Sequence, residues 1–144
     1  SVQLEVPVDW GLEFSRVNAA DPLRADLVLE GASGGVFVRG RVAVVVRHSC
    51  RRCLQEWSEP VEVEVFEMLS SDPEAEYRLI GDEADLEIPL RDAVLLALPL
   101  RPLCRPDCLG LCGVCGADLN TGSCPGHGED PASPFAVLRD LLEP

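Results

Sequence analysis

Five of the seven cysteines lie in one short stretch near the C-terminus, with His127 just behind them: Cys104, Cys108, Cys112, Cys115 and Cys124. Two residues separate Cys112 from Cys115, and Gly116 follows, which is the pattern of a zinc knuckle. A structural Zn²⁺ takes four such ligands in a tetrahedron. The stretch has few large apolar side chains, so we expect metal binding to supply its folding free energy.

Six candidate ligands compete for the four places of one zinc site. The set we predict is Cys108, Cys112, Cys115 and Cys124, with Cys104 and His127 as reserves. A zinc ion with four protein ligands has no open position for water. The predicted site is therefore structural rather than catalytic.

A second cysteine pair, Cys50 and Cys53, encloses Arg51 and Arg52. Redox chemistry is one interpretation, since neighbouring arginines lower a thiol pKa. It is disfavoured because a thioredoxin-like pair accompanies a βαβ pattern, whereas this pair joins two predicted strands. The pair could instead join Cys112 and Cys115 as ligands of a shared zinc, or close a tight turn that presents the two arginines. These last two interpretations are compatible.

The net charge is −13, and all twelve cationic residues are arginines. No acidic residue occurs from 31 to 55, and the same segment holds Arg39, Arg41, Arg47, Arg51 and Arg52. One interpretation is a solvated sheet face paired with the glutamates of the next strand. The other, which we prefer, is contact with RNA phosphates through planar guanidinium groups, with Phe37 available to stack on a base.

The elements that position these residues predict an α+β fold, with an antiparallel sheet of about four to six strands. Alternation in 36–47 places valines on one face and Phe37 with three arginines on the other. We expect 36–47 and 60–68 to form a hairpin closed by the Cys50/Cys53 turn. Further predicted strands are 3–8, 25–30 and 86–88; 70–85 is predicted to be a mobile acidic loop, 89–98 a buried helix, and 133–142 a C-terminal helix.

The chain of 144 residues is divided into a sheet-and-helix core at 1–100 and a zinc-knuckle segment with the C-terminal helix at 101–144. No apolar run reaches the ~18 residues of a membrane span, and the first residues lack a signal-peptide pattern. We expect a cytoplasmic protein, whose reduced thiols favour metal over disulfides. No nucleotide-binding or hydrolase motif is present, so we expect neither an enzyme nor a small-molecule substrate.

Four segments in this order resemble the YceD family of bacterial and plastid proteins, named for accumulation of large-subunit ribosomal RNA. They are C-x-R-C-L at 50–54, the segment 88–99, the cysteine block 103–120, and 133–139. The matched family positions are Cys50, Arg52, Cys53, Cys104, Cys108, Cys112, Cys115 and Cys124. Many members end the block with C-x-C, whereas this chain has Cys124-Pro-Gly-His127, so His127 could stand in as the last ligand.

The resemblance implies a non-enzymatic ribosome-biogenesis factor that supports processing or accumulation of large-subunit (23S) ribosomal RNA or its precursor. Direct RNA binding through the arginine-rich strand face and turn is the first hypothesis. The alternative is an acidic, zinc-stabilised adaptor that binds a basic ribosomal protein, because the net charge is strongly negative.

Overall fold

The computed structural model describes residues 1–127 of the chain. It divides into two compact units, Ser1–Cys108 and Leu109–Pro144, of which the second is described only as far as His127. The predicted C-terminal helix at 133–142 lies outside the described residues. No helix within 1–127 has the length and apolarity needed to cross a membrane.

The first unit contains eight strands and one helix. In chain order they are β1 (Val2–Val6), β2 (Trp10–Gly11), β3 (Ser15–Val17), β4 (Leu23–Ala32), β5 (Gly35–Ser49), β6 (Glu56–Ser70), β7 (Leu79–Ile80), β8 (Glu83–Ala84) and α1 (Glu87–Ala97). The mostly antiparallel sheet and the single buried helix confirm the α+β prediction for this unit.

Strand β5 is the centre of a six-stranded antiparallel sheet. Along one side it pairs with β6 over its whole length, from Gly35 opposite Ser70 to Ser49 opposite Glu56. Along the other side its first part pairs with β4 and its last residues with β3. Strand β1 lies beyond β4, and β2 lies beyond β3. The long predicted hairpin is therefore confirmed.

Alternation along β5 separates the core from the surface as expected. Its even-numbered valines Val38, Val42, Val44 and Val46 are buried, while Arg39, Arg41 and Arg47 are exposed. The valines pack in one core with Leu23 and Leu27 of β4, Leu69 of β6, and Leu90 and Val94 of α1. Each such side chain contributes about 1.5–3 kcal/mol when it leaves water completely.

Helix α1 begins at Glu87, so the predicted strand at 86–88 is wrong. The Glu87 N–H donates to Asp85 Oδ1 (2.9 Å), which satisfies one backbone donor of the first turn. Pro89 fits in this turn because its nitrogen has no hydrogen to donate. Leu98 is extended before Pro99, so the helix ends at Ala97, one residue before the predicted end, and it begins two residues before the predicted start at Pro89.

The acidic segment 70–85 has more structure than the predicted loop. Strands β7 and β8 pair as a short hairpin, and Tyr77 packs against the core. The Tyr77 hydroxyl donates to Asp92 Oδ2 of α1 (3.3 Å), and the Ser70 N–H donates to the Tyr77 carbonyl (2.9 Å). Burial, followed by the charge of Asp92, raises the pKa of the Tyr77 hydroxyl.

Gly40 marks the closest approach of β5 to β4. It has a φ of +156°, and a Cβ at this position would clash with the Asp26 carbonyl oxygen and lie 2.9 Å from Leu27 Cα. We predict that Gly40→Ala lowers the free energy of unfolding by roughly 1–3 kcal/mol, because the neighbouring strand must move. Denaturant titration measures this loss.

Gly31→Ala is the matched control, since Gly31 is also a strand glycine and a Cβ there would have nothing within 4 Å. It should leave the denaturation midpoint nearly unchanged. Equal midpoints for the two variants would contradict the tight packing of β4 on β5.

Candidate functional site

Four thiols from two distant parts of the first unit converge on one point. The first cysteine cluster consists of Cys50, Cys53, Cys104 and Cys108, whose sulfur atoms all lie within 4.8 Å of one another. The Sγ–Sγ distance is 3.8 Å from Cys50 to Cys108 and 3.6 Å from Cys53 to Cys104. A metal–sulfur tetrahedron with bonds of about 2.3 Å has sulfur–sulfur edges of about 3.8 Å. The arrangement therefore fits a four-coordinate metal ion and is far too open for disulfides.

The turn between β5 and β6 supplies two of these thiols. The Cys50 N–H donates to the Gln55 carbonyl (2.8 Å), and the Leu54 N–H donates to the Cys50 carbonyl (2.8 Å). Leu54 has a φ of 62°, a conformation that costs an L-residue other than glycine roughly 1–2 kcal/mol. This tight turn lets both thiols point to the same side.

The segment after α1 supplies the other two thiols. The Arg51 N–H donates to the Pro102 carbonyl (3.0 Å), which joins the hairpin turn to this segment. Arg52 Nη1 donates to the Cys108 carbonyl (2.7 Å), and the Cys108 N–H donates to the Arg105 carbonyl (3.2 Å). The first cysteine cluster therefore links two segments whose paired cysteines are 51 and 58 residues apart in sequence.

The thiols of this cluster differ in how readily they ionise. Burial raises the pKa of Cys50, but backbone N–H groups of Cys104, Cys53 and Arg52 lower it by more, from 9.0 to about 6. Burial and the neighbouring thiols raise the pKa of Cys104 to about 12. The four groups can therefore all be thiolates only when a cation compensates their charge, and metal binding must release protons.

The second cysteine cluster lies in the second unit and consists of Cys112, Cys115, Cys124 and His127. Their ligand atoms also lie within 4.8 Å of one another, and Cys115 Sγ is 3.9 Å from Cys124 Sγ. The Gly116 N–H donates to the Cys112 carbonyl (2.9 Å), and Gly116 has a φ of +72°. This left-handed glycine turns the backbone beneath the predicted ion, as a zinc knuckle requires.

Polar contacts, rather than apolar packing, hold the loop of the second cluster. Leu111 and Asp118 form an isolated antiparallel bridge, and Asn120 Oδ1 accepts from the Leu109 N–H (2.8 Å). Backbone N–H groups of Cys115 and Val114 lower the pKa of the Cys112 thiol to about 6. An ionised Cys112 is a ready first ligand for a metal ion.

The structure groups the candidate ligands differently from the predicted set. Cys108 lies with Cys50, Cys53 and Cys104 in the first cluster, so it does not join Cys112 in one set of four. The reserve His127 takes the fourth place of the second cluster. The suggested sharing of one ion by Cys50, Cys53, Cys112 and Cys115 is also absent from the groups found in 1–127. Seven cysteines and His127 make eight ligands, a count that could have indicated two sets.

The arginines predicted to contact RNA differ in the partners of their side chains. Arg39 Nη2 pairs with Glu30 Oε1 (2.9 Å), and Arg41 Nη1 pairs with Glu62 Oε1 (3.4 Å). Arg52 donates to the backbone of the first cysteine cluster. Arg47, Arg51 and Arg52 of the predicted five are exposed without an ion pair among the described residues, and of these three Arg52 is already engaged with the Cys108 carbonyl. The glutamate-paired interpretation therefore applies to Arg39 and Arg41.

Ser15, His48 and Glu59 form a line that superficially resembles a hydrolase triad. Ser15 Oγ is 2.8 Å from His48 Nδ1, and His48 Nε2 is 3.0 Å from Glu59 Oε1, although the latter contact lacks hydrogen-bond geometry. Ser15 is 2% exposed and His48 only 1%. No substrate can reach this hydroxyl, so the group joins β3 to β5 and carries no catalytic assignment.

Comparison with known proteins gives one family match. The family described as "Large ribosomal RNA subunit accumulation protein YceD" matches residues 38–142. An uncharacterized protein of Mycobacterium tuberculosis is 36% identical over 148 residues, which cover 96% of this chain and 70% of that protein.

Two further relatives match over different lengths. An uncharacterized protein of Mycobacterium leprae is 33% identical over 144 residues, or 93% of this chain and 65% of its own length. A maize protein, named as the chloroplastic large ribosomal RNA subunit accumulation protein YCED homolog 1, is 46% identical over 41 residues. That match covers 28% of this chain and 14% of the maize protein. No solved structure matches the chain.

Two separate sets of four ligands predict two metal ions per chain. Native mass spectrometry of protein purified without chelator should find two, and Cys53→Ser or Cys115→Ser should each remove one, because each variant breaks a different set. A single ion in the unmodified protein would contradict the two clusters. So would the loss of the same ion in both variants.

Proposed function

We infer the function of this chain from its family, because the chain belongs to the YceD family of large ribosomal RNA subunit accumulation proteins. We propose that it is a non-enzymatic factor that binds large-subunit ribosomal RNA, or its precursor, and thereby supports processing or accumulation of that RNA. The proposed place of action is the cytoplasm, where a ribosome-biogenesis factor meets its RNA.

Zinc is the metal that both clusters suit best. Four thiolates, or three thiolates and an imidazole, are the ligand sets of structural Zn²⁺, whereas Mg²⁺ and Ca²⁺ require oxygen ligands. Both sets are complete, so neither leaves a coordination position at which a zinc-bound water could act. The first cluster would hold the hairpin turn against the segment after α1, and the second would order the loop from Cys112 to His127.

The observation that carries the RNA contact is the exposure of Arg47 and Arg51 without carboxylate partners. They lie in a segment, 31–55, that contains no acidic residue. Arg39 and Arg41 could contribute only after leaving Glu30 and Glu62. Such exposed ion pairs stabilise the fold by about 0–1 kcal/mol. Arg39 and Arg41 can therefore exchange a glutamate for an RNA phosphate, but the net gain in binding free energy is smaller than for an arginine without a carboxylate partner.

The second candidate function is binding of a basic ribosomal protein. It is favoured by the exposed carboxylates of Glu62 and Glu64 on β6, which over the residues described pairs with β5 and otherwise forms only an isolated bridge from Ser70 to Arg78. Acidic side chains beside an open strand edge suit a basic, extended segment. Co-purification with one ribosomal protein after nuclease treatment, lost on Glu62→Gln/Glu64→Gln, would support this function over RNA binding.

A phosphate-mediated contact has a salt dependence that can be measured. With three to five phosphate contacts, the logarithm of the binding constant should fall by roughly 2–5 per tenfold rise in salt. Filter binding of an in vitro large-subunit ribosomal RNA transcript at several salt concentrations gives this slope. Arg24→Gln removes a charge that pairs with Glu5 on β1 and is the control; its slope should equal that of the unmodified protein. Absence of binding at low salt would contradict the proposal.

A further inference from the structure

Two arginines outside the predicted set adjoin the first cysteine cluster. They are Arg101 and Arg105, in the segment 99–106 that follows α1 and contains no acidic residue. Arg101 is exposed and forms no ion pair within residues 1–127. Arg105 is 50% exposed and lies 3.4 Å from Asp107, which is itself 83% exposed. This segment therefore presents positive charge to solvent.

Backbone contacts bring this segment to the hairpin turn. The Arg51 N–H donates to the carbonyl of Pro102, the residue next to Arg101. Arg52 donates to the Cys108 carbonyl, and the four sulfur atoms of the first cluster join the same two segments. Arg51 and Arg101 consequently flank one backbone hydrogen bond, although fifty residues separate them in sequence.

The local charge is opposite to that of the chain. The turn 47–55 and the segment 99–106 contain five arginines and no acidic residue: Arg47, Arg51, Arg52, Arg101 and Arg105. A divalent ion with four thiolates carries a charge of −2, and Asp107, next to the ligand Cys108, adds −1, so the assembled region has a net charge of about +2. Elsewhere the chain is strongly acidic, and this repels a polyanion from other directions.

Exposed apolar side chains accompany these cations. Leu54 of the turn is 57% exposed, and Leu100 of the segment is 77% exposed. A surface with guanidinium groups beside apolar side chains suits an unpaired nucleic-acid strand, which offers both phosphates and base faces. An inorganic anion would use only the first of these.

We propose that the hairpin turn and the segment 99–106 form one composite phosphate-binding surface for RNA, with Arg51 and Arg101 as its principal contacts, assembled by the metal ion of the first cysteine cluster. We call it the basic tip: Arg47, Arg51, Arg52, Arg101 and Arg105. The proposal rests on the proposed RNA-binding function and locates its contact. Without the ion, the coordinate bonds that would join the two segments through the four sulfur atoms are lost.

The arginine test compares two double variants that remove the same charge. Arg51→Gln/Arg101→Gln should weaken binding of the large-subunit ribosomal RNA transcript at least tenfold and reduce its salt slope by about 1.5–2, the effect of two lost phosphate contacts. Arg39→Gln/Arg41→Gln should weaken it less than threefold, because those arginines already pair with glutamates. Equal losses, or a larger loss in the second variant, would overturn the basic tip.

Inorganic tripolyphosphate separates the failure of the tip from the failure of the proposed function. In amide NMR spectra, tripolyphosphate should shift the Arg51 and Arg101 signals of the unmodified protein. If tripolyphosphate shifts these signals but the RNA transcript does not bind, the proposed RNA-binding function is wrong, whereas the anion site at Arg51 and Arg101 is supported. If the transcript binds without involving Arg51 and Arg101, the proposed RNA-binding function is supported and the basic tip is rejected as its contact surface.

The test of the metal's role uses one cysteine variant from each cluster. Cys53→Ser should reduce affinity for the transcript as much as the Arg51→Gln/Arg101→Gln variant does, whereas Cys115→Ser should remain within twofold of the unmodified protein. If Cys53→Ser does not give the circular dichroism spectrum of a folded protein, stepwise chelation of the unmodified protein is used instead. The number of bound ions and the affinity for the transcript are then measured at each step. Full affinity for the transcript after loss of the ion from the first cysteine cluster would overturn the proposal that this ion assembles the surface.

Discussion

The convergence of four thiols in the first cysteine cluster is the constraint on which the rest of the functional surface depends. Cys50 is buried with a lowered pKa, whereas Cys104 has a pKa of about 12, so four thiolates cannot share this space without a cation. A tetrahedral ion bound by the four sulfur atoms would compensate their charge and join both segments at once. The positions of Arg51 and Arg101 then follow from the same closure.

The sheet delivers both cysteine pairs to one end of the first unit. Strand β5 extends through fifteen residues, and its buried valines hold it in register with β6, so that Cys50 follows directly at its end. Helix α1 packs on the same core through Leu90 and Val94, and the chain leaves it at Pro99 toward Cys104. Apolar packing therefore provides the coarse placement, and the proposed metal ligation would provide the final closure.

Local pattern explains which parts of this structure could be predicted from sequence. Alternating valines predicted β5 and its hairpin, and the run of helix-forming residues after Pro89 predicted α1. Both signals could be read from the sequence because they depend only on residues that are neighbours along the chain. The two-residue strands β7 and β8 are too short to show a period. The candidate ligands are grouped differently for a related reason: spacing joined Cys108 to Cys112, whereas the fold brings Cys108 to Cys50 from 58 residues away. Likewise, sequence left open whether Arg39 and Arg41 pair with glutamates or face phosphates, and the cross-strand contacts show Glu30 and Glu62 as their partners.

Cadmium substitution followed by through-bond NMR between the metal and the cysteine β-protons tests the central claim most directly. The account predicts two cadmium signals. One should couple to Cys50, Cys53, Cys104 and Cys108, and the other to Cys112, Cys115 and Cys124 together with the His127 ring. Coupling of Cys108 to the same ion as Cys112, or an ion that leaves Cys50 and Cys53 uncoupled, would contradict the closure of the hairpin turn onto the segment after α1.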